Sequence, residues 1–127
     1  NIDDIQKRRK SIWSQYFELL KPLQDNSKIQ LPVLPDYATN NAHMFYAITK
    51  SLEERTALIK HLKKENVHSV FHYLSLHKSE YFEGKHDGRE LANSDMYSNQ
   101  LLRLPMYFEL QNIEIKKITD SIIKFYN

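Results

Sequence analysis

Five of the six histidines in this chain (His43, His61, His68, His72 and His77) fall within one run, AHMFYAITKSLEERTALIKHLKKENVHSVFHYLSLHKS, residues 42 to 79. Imidazoles gathered this way can ligate a metal, move protons or hydrogen-bond a ligand. His68 and His72 have the i, i+4 spacing that chelates zinc on a helix, but VHSVFHY reads as a strand. At about 3.3 Å per residue their Cα atoms would stand about 13 Å apart, whereas zinc holds each nitrogen at about 2 Å. The chain has no cysteine to complete a site. No metal site is therefore expected, and His61, His68 and His86 read as ordinary strand and loop side chains. His77 differs, because it follows the strand, where side chains are free to face a ligand.

Other chemistry is sparse. KRRK, Lys7 to Lys10, is the one dense basic cluster, but on a helix four consecutive side chains spread around most of the circumference and form no stripe. A solvated helix face is the plainer reading. There is no Gly-rich phosphate loop, no nucleophile elbow and no paired-carboxylate motif. Phe45, Tyr46, Phe71 and Tyr73 read as sheet core, since a base-stacking platform also needs a basic groove around it. The formal net charge of +2 is too small to point to nucleic acid or a membrane surface. No catalytic residue is assigned within the chain.

These residues need elements to hold them. Ile5, Ile12, Trp13, Tyr16, Leu19, Leu20 and Leu23 recur at helical spacing, predicting a helix over about residues 3 to 20 that Pro22 and QDNSK end. Trp13, Tyr16 and Phe17 form an aromatic arc too broad for one small core to cover. AHMFYAIT is apolar on both faces and predicts a strand covered on both sides. Ser51 and Glu54 form a capping box for a helix that turns Leu52, Leu58, Ile59 and Leu62 inward. VHSVFHY is the next strand, and residues 79 to 89, which hold both glycines, make a mobile polar loop. Ser94 and Asp95 mark a further helix start. LRLP is a short extended segment, and a last helix over about residues 112 to 125 buries Ile115, Ile118, Ile122 and Phe125. This order predicts an α+β fold, a small mixed or antiparallel sheet with helices packed on it.

At 127 residues with 41% hydrophobic and 27% charged side chains, the chain is long enough for one domain with its own core. Cysteine is absent and no apolar run nears the roughly 20 residues of a membrane helix, so a cytoplasmic location is expected. The chain opens at Asn1 directly into a helical pattern, as though cut from a longer polypeptide.

Four segments together resemble a known family. AHMFYAI, LEERTALIKHLK, VFHYLSLHKS and SNQLLRLPMY are similar to the C-terminal part of the pyridoxal-phosphate-dependent sugar aminotransferases of the DegT/DnrJ/StrS type. RRKSIWSQYFELL resembles the helix that leads from that family's large domain into its small one. The resemblance implies that residues 1 to 127 are one small domain, with residues 1 to 22 a connecting helix and the large cofactor-binding domain lying elsewhere in the polypeptide. It implies a full-length enzyme that works as a homodimer and uses pyridoxal phosphate. That enzyme would move an amino group from glutamate to the 4-keto carbon of a dTDP-linked 4-keto-6-deoxy sugar.

The family's lysine, its acidic partner for the pyridine nitrogen and most of its phosphate site belong to the large domain. The chain alone is thus expected to bind no cofactor and to be inactive. His77, at the family's Leu-His position, is implied to bind the nucleotide-sugar substrate, with Tyr73 and His72 as further candidates. For His43 packing is as good a role as binding, and Arg103 reads as structural. Where the family has Pro-Leu-His this chain has Ser75-Leu76-His77, which gives up proline's fixed φ and predicts a looser turn. Leu76 is expected to anchor that turn and His77 to point away from it, toward the cleft. The competing reading is a freestanding α+β binding or dimerisation module.

Overall fold

The computed structural model describes residues 1–71, 75–82 and 84–127. Helix α1, Ile2–Asp25, begins where the Asn1 side chain accepts the Asp3 N–H. It runs straight through Pro22, contrary to the expected stop. The real stop is at Ser27, whose φ is +57°. There Ser27 N–H donates to the Gln24 carbonyl and Lys28 N–H to the Leu23 carbonyl, the paired bonds of a Schellman ending. Leu20 and Leu23 are buried on either side of Pro22, and that burial holds the last turn against the bond the proline removes.

Helix α2, Leu52–Lys64, starts as expected at Ser51, whose side chain accepts the Glu54 N–H. The Glu54 carboxylate reaches back to the N–H of Lys50, one residue earlier than in the usual box. Asn66 at φ +61° ends it with the same Schellman pair, to Lys63 and Leu62. Leu58 and Leu62 are fully buried, but Leu52 is 42% exposed, so it is not an inward residue.

Strands β1 (Phe45–Ile48), β2 (Val70–Phe71) and β3 (Leu101–Leu104) form one antiparallel sheet in the order β1-β3-β2. Register puts Phe45 opposite Leu104 and Ala47 opposite Leu102, so these four share the core face. All are buried, and they meet Ile12, Tyr16 and Leu20 of α1 and Ile115, Ile118 and Ile122 of helix α4, Asn112–Tyr126. Tyr46, opposite Arg103, lies on the other face. β2 is shorter than VHSVFHY predicted among the described residues. Val70 and Phe71 are each 53% exposed, so Phe71 is an edge residue and not sheet core.

Tyr16 is fully buried, with its ring stacked on Phe45 at 5.1 Å. Its hydroxyl donates to the Pro105 carbonyl at 2.7 Å. The expected uncovered arc thus narrows to the half-buried pair Trp13 and Phe17, stacked at 5.5 Å. Among the described residues no helix is long and apolar enough to cross a membrane.

A candidate substrate-side site on helix α3

Helix α3, Ala92–Gln100, begins two residues before the predicted Ser94 start, with Leu91 at its N-cap and no side-chain cap. Ser94 and Asp95 are spent otherwise: both reach across to the segment carrying His77. The Ser75 hydroxyl donates to the Ser94 carbonyl at 3.1 Å, accepts from the Ser94 hydroxyl at 2.9 Å, and pairs with the Ser98 hydroxyl. One donor and two acceptor positions use the hydroxyl's full capacity. Ser75 is buried, and its φ of −60° is the value proline would impose. The turn is therefore tied down by side-chain bonds without a proline ring.

Leu76–Lys78 then make a single 3-10 turn. The orientation is the reverse of the expected one: Leu76 is 65% exposed, whereas the His77 side chain is only 10% exposed. Leu76 faces solvent and His77 is the residue that anchors. Its Nε2 lies 3.1 Å from Asp95 Oδ1, and the Lys78 ammonium donates to the same oxygen at 2.9 Å. The hydrogen bond from Lys78 is the main cause holding the Asp95 carboxyl below the ordinary range, and His77 adds to it.

The imidazole of His86 lies 5.1 Å from that of His77, and its Nδ1 accepts the Gly88 N–H at 3.0 Å. With Leu76, Phe82, Leu91 and Ser94 the two rings line an open cavity of about 260 Å³. The stretch from residue 79 to 89, expected as a mobile polar loop, includes among its described residues a second 3-10 turn at Glu80–Phe82, and His86 from it lines the site.

Arg55 of α2 fastens the other side of α3. It is buried, donates to the Ser98 carbonyl and lies 5.4 Å over the Phe71 ring. Burial lowers its pKa. Its Nε has no hydrogen-bond partner among the described residues.

Of the sequence-derived site residues, His77 is placed in this cluster, while His72 and Tyr73 lie outside the described residues. His43 is exposed just before β1, bonded to Asn41, so it does not pack as a strand residue. His61 bonds the Ser121 carbonyl, and His68 is exposed. Arg103 sits on the central strand opposite Tyr46 and Val70. Asp95, His86 and Arg55 were missed as site residues. Asp95 is 18 residues from His77, and no local pattern links the two.

The profile of the DegT/DnrJ/EryC1/StrS aminotransferase family matches residues 1–123. A curated relative, the dTDP-3-amino-3,6-dideoxy-alpha-D-galactopyranose transaminase of Aneurinibacillus thermoaerophilus, is 24% identical over 126 residues. The alignment covers 98% of this chain and 32% of that protein, so the chain spans about a third of the relative's length. DesV of S. venezuelae, solved in complex with a ketimine intermediate, superposes with a TM-score of 0.86 at 24% identity, covering 97% of this chain and 32% of that one. NtdA of Bacillus subtilis, solved with bound cofactor PMP, gives 0.83 at 21% identity, covering 95% and 28%. Both structures share the fold. With its profile match running over nearly its whole length, the chain belongs to the DegT/DnrJ/EryC1/StrS aminotransferase family.

Proposed function

We propose that this chain is the small domain of a pyridoxal-phosphate-dependent nucleotide-sugar aminotransferase, with residues 1 to 22 the helix joining it to a large domain. The observation that carries this reading is the mismatch of lengths: the family profile covers residues 1–123, yet the chain is 32% of its curated relative. When bound, the cofactor supplies the electron sink through which an amino group leaves glutamate and reaches a keto carbon. A lysine that holds such a cofactor is desolvated so that its amine is nucleophilic. In this reading the cofactor belongs to the large domain and the chain alone is inactive. What this chain contributes is the substrate side: His77 from its anchored turn, with His72 and Tyr73 from the preceding segment. The full-length enzyme is a cytoplasmic homodimer in this reading.

The substrate proposed is a dTDP-linked 4-keto-6-deoxy sugar. The run HMFY, ERT, VFHY, LH and LLRLP resembles dTDP-4-amino-4,6-dideoxygalactose transaminase of enterobacterial common antigen synthesis. The curated relative's name shares the dTDP carrier and the deoxyhexose but puts nitrogen at C3. Product analysis separates the two. The polypeptide joining this chain to its large domain, given glutamate and the 4-keto sugar nucleotide, should yield the 4-amino sugar, and His77→Ala should raise the sugar KM about tenfold. Nitrogen found at C3 would overturn the substrate. Turnover by residues 1 to 127 alone, or cofactor colour surviving dialysis of that chain, would overturn the domain assignment.

A further inference from the structure

The cluster around Asp95 fixes more than where His77 sits. Two donors converge on Asp95 Oδ1, the Lys78 ammonium at 2.9 Å and His77 Nε2 at 3.1 Å. An ionised carboxylate only accepts, so the His77 proton must be on Nε2. Lys78 already supplies a cation at the same oxygen. In the neutral ring the proton on Nε2 leaves Nδ1 with the lone pair. His86 is constrained likewise: its Nδ1 accepts the Gly88 N–H, which puts its proton on Nε2, 3.7 Å from Asp87 Oδ1. The two rings line one cavity of about 260 Å³ with Leu76, Phe82, Leu91 and Ser94. That is below the roughly 300–1,000 Å³ of pockets that hold a whole small ligand, and leaves room for one group of a larger one.

We propose that Asp95 is a positioning residue for His77, holding it in the tautomer whose Nδ1 accepts a hydrogen bond from a hydroxyl of the substrate's hexose. The inference rests on the proposed nucleotide-sugar reading and adds the group that the site recognises. A lone-pair nitrogen backed by a carboxylate repels phosphate oxygens and attracts an O–H donor. The negative charge behind the ring also makes Nδ1 a better acceptor than that of a free imidazole.

The test uses the full-length polypeptide, with melting temperature checked for every variant. Asp95→Asn keeps the shape but removes the negative charge that draws the proton to Nε2 and makes Nδ1 a strong acceptor. It should raise the sugar KM about tenfold, the scale of one hydrogen bond, and leave the glutamate KM unchanged. Asp95→Glu should recover most of that loss. In a His77→Ala background Asp95→Asn should add nothing, because its effect passes through the ring. The inhibition constant of dTDP, which lacks the hexose, should not move in any variant.

Equal effects of Asp95→Asn with and without His77 would show that Asp95 acts independently and overturn the positioning role. A dTDP inhibition constant rising in step with the sugar KM would place the contact on the nucleotide and overturn the hydroxyl assignment. A sugar KM that His77→Ala does not move would instead overturn the substrate-side reading of this segment.

Discussion

The two ends of this chain's fold are held together by different physics. Where α1 and α4 meet the sheet, contact is apolar and nearly water-free: Ile12, Leu20, Leu102, Ile115 and Ile122 are essentially inaccessible. The residues that bond α3 across to its neighbours include the buried polar Ser75 and Arg55, and α3 itself buries no residue fully. The core end is stabilised by area, roughly 25 cal/mol per Å² of apolar surface removed from water. The α3 end depends on a few directional bonds, each contributing about 0.5–1.5 kcal/mol net. A region built from bonds between separate segments opens at lower free energy than the core. It also offers polar groups that a ligand can use.

The sharpest break of this contrast is at the centre of the sheet. Leu102→Ala removes a fully buried side chain from β3 and should cost about 2–5 kcal/mol in a urea titration, with the slope unchanged. A loss under about 1 kcal/mol would mean that the core can collapse around the gap, and the distinction between the two ends would weaken.

Ser75→Ala probes the other end. It breaks the bonds that the Ser94 and Ser98 hydroxyls make to Ser75 and should cost about 1–2 kcal/mol. Amide exchange should accelerate in α3 well before it does in α4. Ser75→Pro loses the same bonds but fits the existing φ of −60°, so it should be less damaging than alanine by about 0.4–1 kcal/mol. Proline proving worse than alanine would show that the turn depends on more than its hydroxyl bonds.

The Tyr16 hydroxyl bonds the Pro105 carbonyl on the chain that leaves β3, and Tyr16→Phe should cost about 1 kcal/mol. Its phenol pKa is raised, chiefly by burial and then by Tyr107 and Glu114. A raised folded pKa means that the stability from this group is complete below the ordinary tyrosine value near 10 and falls as pH rises beyond it. Wild type should therefore lose stability above about pH 10 more steeply than Tyr16→Phe. Equal slopes would mean that other groups drive the alkaline loss.

How much was legible follows the same division. The core end could be read locally: the three-four spacing of Ile115, Ile118 and Ile122 and the cap at Ser51 are each settled within one turn of chain. Pro22 misled because its local cost is real, yet burial of Leu20 and Leu23 outweighs it, and burial is a tertiary fact. At the α3 end the misreadings share one cause. Ser94 and Asp95 have the residue types of a helix start, but their side chains are taken by Ser75, His77 and Lys78 from 17 to 19 positions away. Apolarity predicted that Leu76 would anchor the turn, whereas the bond to Asp95 turns His77 inward instead. The family resemblance pointed to His77 without indicating what holds it.

The smallest global effect, and the most local, is expected from acid. Asp95 has a lowered pKa, first through the hydrogen bond from Lys78 and further through Lys78 and His77 charge. A depressed folded pKa contributes stability that is present above the ordinary aspartate value near 4 and is lost as pH falls through the lower folded value. Asp95 is partly open to solvent, at 28%, so salt and water screen the pair and the overall unfolding midpoint should barely register it. The local readout is different. Once pH has fallen through that lowered value, a protonated Asp95 no longer holds both Lys78 and His77, and amides of residues 76 to 79 should exchange faster while those of α4 keep their protection. Asp95→Asn should show the faster exchange already at pH 7 and lose the acid-dependent step. If segment and core lost protection together on acidification, the turn would be part of one cooperative unit with the core. The two-region description would then fail at the point where it matters most for binding.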